Sequence, residues 1–208
     1  MRIAQGTVVG CNHALENGIA FNIAGGTHHA FSDRGEAFCL LNDQAIAAQY
    51  LINQKKCHKI LIVDLDVHQG NGTAEIFQNN ADVITFSMHG QSNYPFRKET
   101  SDYDIALPDK TDDTTYLSIL QETLPELLNI HRPDFVFYLA GVDILGTDKL
   151  GKLGCTLEGC KTRDSYVLGL CKSLGIPVQV SMGGGYSPAI KTIIEAHANT
   201  YRVARALY

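Results

Sequence analysis

Residues 60–72 read ILIVDLDVHQGNG. An apolar, largely β-branched run leads straight into two carboxylates and an imidazole, then into a glycine-rich turn. Such a run suits a strand, and alternate side chains of a strand share a face. Asp64, Asp66 and His68 therefore project together. Three ionisable groups on one face of a greasy strand repel or desolvate one another unless water or a cation holds them. The stretch predicts a buried strand with a charged site at its carboxyl end.

The same pattern recurs along the chain. GIAFNIAG (18–25) reads as a strand and NDQAIAAQYLINQ (42–54) as a helix. KILIVDLD (59–66) is the second strand, TAEIFQN (73–79) a short helix and DVITFSMH (82–89) the third strand. Residues 90–112 read as a polar loop, and 114–130 as a helix that Pro125 should kink. The strand 134–141, a glycine-rich loop, a helix over 157–174, the strand 176–181 and a helix from about 187 complete the order. Short, nearly continuous apolar strands between helices imply a mainly parallel sheet covered on both faces, a three-layer α/β/α architecture. Neither repeat nor linker divides the chain, so 1–208 is expected to form one domain.

In such sheets the functional residues gather at the carboxyl ends of the strands. His28 and His29 follow the first strand; Asp66 and His68 end the second; His89 ends the third. Asp143 ends the fourth, and Gly183 to Tyr186 follow the last. The convergence says more than any one motif.

Bulk properties narrow the classes. The 208 residues carry a formal net charge of −5 with 45% apolar and 19% charged content, and no dense Lys/Arg run, so direct nucleic-acid binding is not expected. Nothing approaches a membrane span, and MRIAQGTVVGC lacks the apolar core of a signal peptide, which makes a cytoplasmic setting the expectation. Six scattered cysteines without a CxxC pair read as reduced, buried hydrophobes.

Two carboxylates and one imidazole around a divalent cation, with positions left open, make a catalytic site rather than a structural one. Asp66, His68 and Asp143 supply that set. Two carboxylates cancel the cation's charge, so water there is acidified less than at an all-histidine site, and general-base help of about 10²–10⁴-fold is called for. His28 and His29 are available, with Asp64 suited to orient one of them. A developing oxyanion needs a further donor, and Tyr186 after the glycines of MGGGY has the phenol for it.

GGTHHAFSDRGEAFCLLND, DLDVHQGNGTAEIF, LAGVDILGTDKLG and MGGGYS together resemble the four blocks of the zinc-dependent histone deacetylase family. HQGNG and AGVDILGTDKLG resemble most the class IV branch and its bacterial relatives, within the arginase–deacetylase fold. The resemblance implies Asp66, His68 and Asp143 as ligands of zinc, with iron(II) the alternative for two oxygens and one nitrogen. It implies His28 and His29 as the histidine pair, Asp64 behind His28, and Tyr186 polarising the acyl carbonyl. Phe38, Gly184 and Gly185 would line the acyl-lysine channel. Asp64, Asp66, His68, Ser87 and Met88 match a structural site for potassium or sodium, Met88 through its backbone.

Some members carry an aspartate where this chain has Asn71. An amide stabilises imidazolium less than a carboxylate does, so His29 is expected to be the neutral base and His28 the cation. Ala37, where many members have glycine, is a small change. The family domain also normally has further strands and a channel-walling loop before this point; here the chain is expected to begin in the helix ahead of the first histidine block, lacking those strands. An uncovered edge strand would favour association, so an oligomer is one expectation.

The expected activity is removal of acetyl or longer acyl groups from lysine side chains of a peptide or protein. An acetylpolyamine-type amidohydrolase is the near alternative, and a two-metal ureohydrolase is disfavoured because Gln69 and Asn71 stand where more acidic ligands would be needed. From another class, the rival is an inactive, truncated protein that binds metal or acyl-lysine. His89, His131 and His197 read as structural, His13 and His58 as surface, and the acidic stretch 99–113 as a solvated loop.

Overall fold

The computed structural model describes residues 1–208. Its elements are α1 (Arg2–Asn17), β1 (Ile19–Asn22), α2 (Asp43–Asn53), β2 (Ile60–Asp64), α3 (Asn71–Phe77) and β3 (Val83–Gly90). There follow β4 (Tyr103–Leu107), α4 (Asp113–His131), β5 (Phe135–Leu139), α5 (Leu157–Leu174), β6 (Val178–Ser181) and α6 (Ile190–Leu207). All six strands pair in parallel, in the order β1-β6-β5-β2-β3-β4. The expected α/β fold with a covered parallel sheet is what the chain forms.

Strand periodicity splits the core in two. Ile60, Ile62, Val83, Phe135 and Phe137 point to one face and pack with Cys11 and Ala14 of α1, Ala45, Ala48 and Leu51 of α2, and Phe77 of α3. Leu61, Val63, Val136, Tyr138, Val178 and Val180 point to the other. There they meet Leu120 and Leu124 of α4, Val167 and Leu168 of α5, and Val203 of α6. Every residue of β2, β3, β5 and β6 is buried on one face or the other, so β2 and β5 read as nearly continuous apolar runs, while β3 and β6 bury polar residues such as Ser87 and Gln179 among apolar ones. All six cysteines are buried thiols within this framework.

Side-chain caps set the starts of three helices. Asn42, Asp112 and Thr156 accept backbone N–H groups at the first turns of α2, α4 and α5. Gly18 and Gly175 take left-handed conformations that end α1 and α5. α4 runs unbroken from Asp113 to His131 with Pro125 inside it.

One element departs from the sequence expectation. Residues 90–112 are not all loop: Tyr103–Leu107 form β4, in register with Phe86–Gly90 of β3. As an edge strand β4 buries its residues only in part, so YDIAL interleaves polar with apolar side chains and is masked by its acidic surroundings. Those acids are mostly committed internally: Asp102 accepts from Thr85, Asp104 from Gln69 and Ser101, Asp112 caps α4 and Asp113 accepts from Thr156. Strand order reverses between β5 and β2, which opens a crevice at their carboxyl ends.

Candidate metal centre and its cavity

Asp66 and His68 leave the end of β2, and Asp143 leaves the end of its neighbour β5, so the reversal point delivers all three. One ligand atom from each lies within 4.8 Å of the others. Backbone amides aim the carboxylates: Val67 N–H donates to Asp143 Oδ1 at 3.0 Å and Gly184 N–H to Asp66 Oδ2 at 2.8 Å. Asp66 and Asp143 are buried, and His68 Nδ1 sits 3.0 Å from Asp66 Oδ1 and 3.2 Å from Asp143 Oδ2.

The residues fit a divalent cation. Asp143 Oδ2 is buried without a hydrogen-bond partner, a lone pair that a cation would take. Burial, and then the charge of Asp66, push the Asp143 carboxyl up to about 7. Burial would lower His68, but the carboxylates of Asp143 and Asp66 beside it raise it to about 10. The cluster demands positive charge, and a divalent ion supplies it with the imidazole neutral. Gly184 is required at close quarters, since a Cβ there would lie 2.2 Å from Asp143 Oδ2.

The histidine pair stands on the loop between β1 and α2. Asp43 fastens the start of that loop, its Oδ1 accepting from Gly26 N–H, Thr27 N–H and the Thr27 hydroxyl. Asn42 Nδ2 donates to Ala30 O and to Thr73, tying the loop to α3. His28 Nδ1 lies 2.7 Å from Asp64 Oδ2. Burial opposes its charge, yet the charge and hydrogen bond of Asp64, with Asp66 beyond, carry it up to about 9. His29 Nδ1 meets the Asn71 Oδ1 amide oxygen at 2.7 Å; burial and then the charge of His28 push it down to about 3. One imidazole is thus built to hold a proton and the other to lack one.

These groups line a single cavity of about 550 Å³. Its wall includes His28, His29, Asp66, His68, Asp143 and Tyr186. Tyr186 is 39% exposed, and burial followed by Asp143 and Asp66 raises its phenol, which keeps it a proton donor at neutral pH. Phe38 stands at the mouth, 82% exposed, with its ring centroid 6.2 Å from that of Tyr186. Gly184 lines the cavity; Gly185 instead packs against Val142, where a Cβ would come within 2.6 Å of its Cγ2. Ser87 is the register partner of Asp64 across β2 and β3, and Met88 is buried beside it.

Several positioning residues carry no motif that sequence reading isolates. Arg163, fully buried on α5, donates through Nη1 to Leu65 O and Gly141 O, the backbone leading into two ligands. Asp164, Tyr138 and Thr200 form the network that holds it. Asp148 accepts from the backbone N–H groups of Tyr186, Leu150 and Gly151 and so joins two rim loops. Glu36 and Tyr94 stand behind Asn71. Of the bystander histidines, His131 accepts or donates to the Tyr103 hydroxyl at 2.8 Å and His89 lies 3.0 Å from Ser87 Oγ, so both have structural partners.

Residues 1–201 match the model of the histone deacetylase domain. An uncharacterized protein of Picosynechococcus sp. is 48% identical over 203 residues, covering 98% of this chain and 68% of that protein. Histone deacetylase 2 of Arabidopsis thaliana is 31% identical over 192 residues, covering 91% of this chain and 50% of its own. Among solved structures, the HD domain of HDA15 superposes with a TM-score of 0.82 at 26% identity, over 98% of this chain and 62% of that one. The acetylpolyamine aminohydrolase of Burkholderia pseudomallei gives 0.81 at 26% identity, over 98% and 61%. The chain thus spans between half and about two thirds of the length of these relatives.

Proposed function

Because the chain belongs to the histone deacetylase family, we propose that it is a metal-dependent amidohydrolase that removes acetyl or longer acyl groups from lysine side chains. A divalent cation held by Asp66, His68 and Asp143, zinc before iron(II), would supply Lewis acidity toward the acyl oxygen and toward water. The chain's own residues account for the proton traffic. Neutral His29 accepts a proton from the attacking water. The Tyr186 phenol donates to the acyl oxygen as charge grows there. Protonated His28, backed by Asp64, holds charge beside the reacting atoms and returns a proton toward the departing amine. Potassium or sodium beside Asp64, Asp66, His68, Ser87 and Met88 would be structural.

The observation that carries this reading is that two adjacent histidines, one backed by the Asp64 carboxylate and the other by the Asn71 amide, share one cavity with the three candidate ligands. Acyl-lysine is placed before an acylpolyamine because Lys152 adds positive charge to the cavity wall, which a polycationic substrate would meet. The test is metal content and hydrolysis of acetyl-lysine, longer acyl-lysine and acetylpolyamine substrates, on wild type and Asp143→Ala side by side. About one metal per chain with cleavage of acyl-lysine, both lost in the variant, is the expected result. A folded, metal-loaded wild type inert on every substrate would refute it.

A further inference from the structure

Behind His29 runs a chain of contacts that ends outside the reaction described above. Asn71 Oδ1 faces His29 Nδ1 at 2.7 Å, Asn71 Nδ2 donates to Glu36 Oε1 at 2.8 Å, and the Tyr94 hydroxyl donates to that same Glu36 oxygen. We propose that Glu36 is a positioning residue: by accepting from the amide end of Asn71 it fixes which nitrogen of His29 carries the proton. The proposal rests on His29 acting as base in the reaction above.

A side-chain amide has two ends of nearly equal shape, one a donor and one an acceptor. Left alone, Asn71 can offer His29 either end. Offering its NH₂ would place the imidazole proton on Nε2, the nitrogen that must be free to take one. A carboxylate has no proton to give. Glu36 therefore accepts only the NH₂ end, and the carbonyl oxygen is left for His29. His29 must then donate through Nδ1–H, leaving Nε2 bare.

The surroundings hold Glu36 to this task. The Tyr94 hydrogen bond comes first among the effects that keep its carboxyl below the usual range, with Asn71 and Arg34 adding to it against some desolvation. Arg34 Nε lies 3.6 Å from Glu36 Oε2. The backbone of Glu36 exchanges both hydrogen bonds with Cys39 at 2.9 Å, around a turn in which Ala37 adopts φ 50°. The Tyr94 ring stands edge-on to His29, centroids 5.1 Å apart at 86°, so the same residue packs the imidazole and anchors the carboxylate.

The deciding measurement is long-range ¹H–¹⁵N NMR correlation on zinc-loaded protein labelled in the histidine imidazoles, which reads the His29 tautomer without turnover. Steady-state kinetics on an acetyl-lysine peptide accompany it. Wild type should show Nδ1–H. Glu36→Gln should keep it, because donation from Tyr94 pins the new amide with its oxygen toward Asn71. Glu36→Ala should lose the single tautomer, with kcat down at least about tenfold and KM within about twofold. The double variant Glu36→Gln with Tyr94→Phe frees the glutamine to turn over, and should lose the tautomer as well. Should the alanine variant fail to fold by circular dichroism, the glutamine pair decides alone. Retention of Nδ1–H in the double variant, or in a folded Glu36→Ala, overturns the proposal. If wild type cleaves nothing while its tautomer still follows Glu36, the failure lies with the reaction and not with Glu36.

Discussion

His28 and His29 have the same side chain and adjacent backbone, and differ in what stands behind them: Asp64 for one, Asn71 for the other. A carboxylate favours the charged imidazole, whereas an amide does so only weakly, and burial then decides for His29. Tyr186 acts at this scale too. Of the two tyrosines in the cavity wall, Tyr94 gives its hydroxyl to Glu36, which leaves Tyr186 as the phenolic donor. Tyr186→Phe should lower kcat by about 10²–10³-fold, the usual cost of one oxyanion donor. Metal content, measured by atomic emission, should stay at the wild-type value, and a variant of full activity would remove Tyr186 from the reaction.

Loops and strand ends set the next scale. The glycines after β6 let backbone pass where no side chain fits: Gly184 N–H reaches Asp66, and its missing Cβ is the space that Asp143 Oδ2 occupies. Gly184→Ala should therefore displace a ligand carboxylate and weaken metal binding by more than about tenfold. Equilibrium dialysis against zinc would show it, and unchanged affinity would mean the loop yields freely. The helix caps give a contrasting expectation. Thr156→Ala removes the hydroxyl that accepts Gly159 N–H and donates to Asp113, at a cost of about 1 kcal/mol in urea unfolding with activity unaltered.

At the level of the molecule, charge and burial couple the site to stability. Two carboxylates face each other at the candidate metal centre, where burial and then the charge of Asp66 raise Asp143. A divalent cation held there would relieve that repulsion in the folded chain alone, so saturating zinc should raise the thermal midpoint and a chelator should lower it. Equal midpoints under both conditions would argue against a metal site. His197 supplies a pH dependence: burial pushes it down to about 4, against about 6.5 in an unfolded chain. Above 6.5 both states leave it neutral and it adds no slope. Between 6.5 and about 4 the unfolded chain takes a proton that the folded one refuses, so stability falls as pH falls. Relative to wild type, His197→Gln should gain about 2 kcal/mol on going from pH 7 to pH 5 in urea titrations. A constant difference would show that His197 is free to ionise in place.

Much of this was legible along the chain. Unbroken apolar runs such as ILIVD at 60–64 demand burial on both faces, which requires helices on each side of a parallel sheet, and that is how the two cores divide. Asp66, His68, Asp143 and the histidine pair were marked by type and by place, since charge at the end of a greasy strand is costly unless used. β4 was not legible, because an edge strand is half-buried and its polar residues obscure the alternation. Arg163, Asp148, Asp43 and Glu36 were not legible either. Each acts through backbone or side chains distant in sequence, and a lone Arg or Glu has no period to betray it. Residue types and the spacing of strands determined the sheet and the chemistry available to the site. Only the tertiary structure decided which nitrogen faces which oxygen, because a hydrogen bond depends on distances of a few tenths of an ångström between chain segments that sequence order leaves far apart.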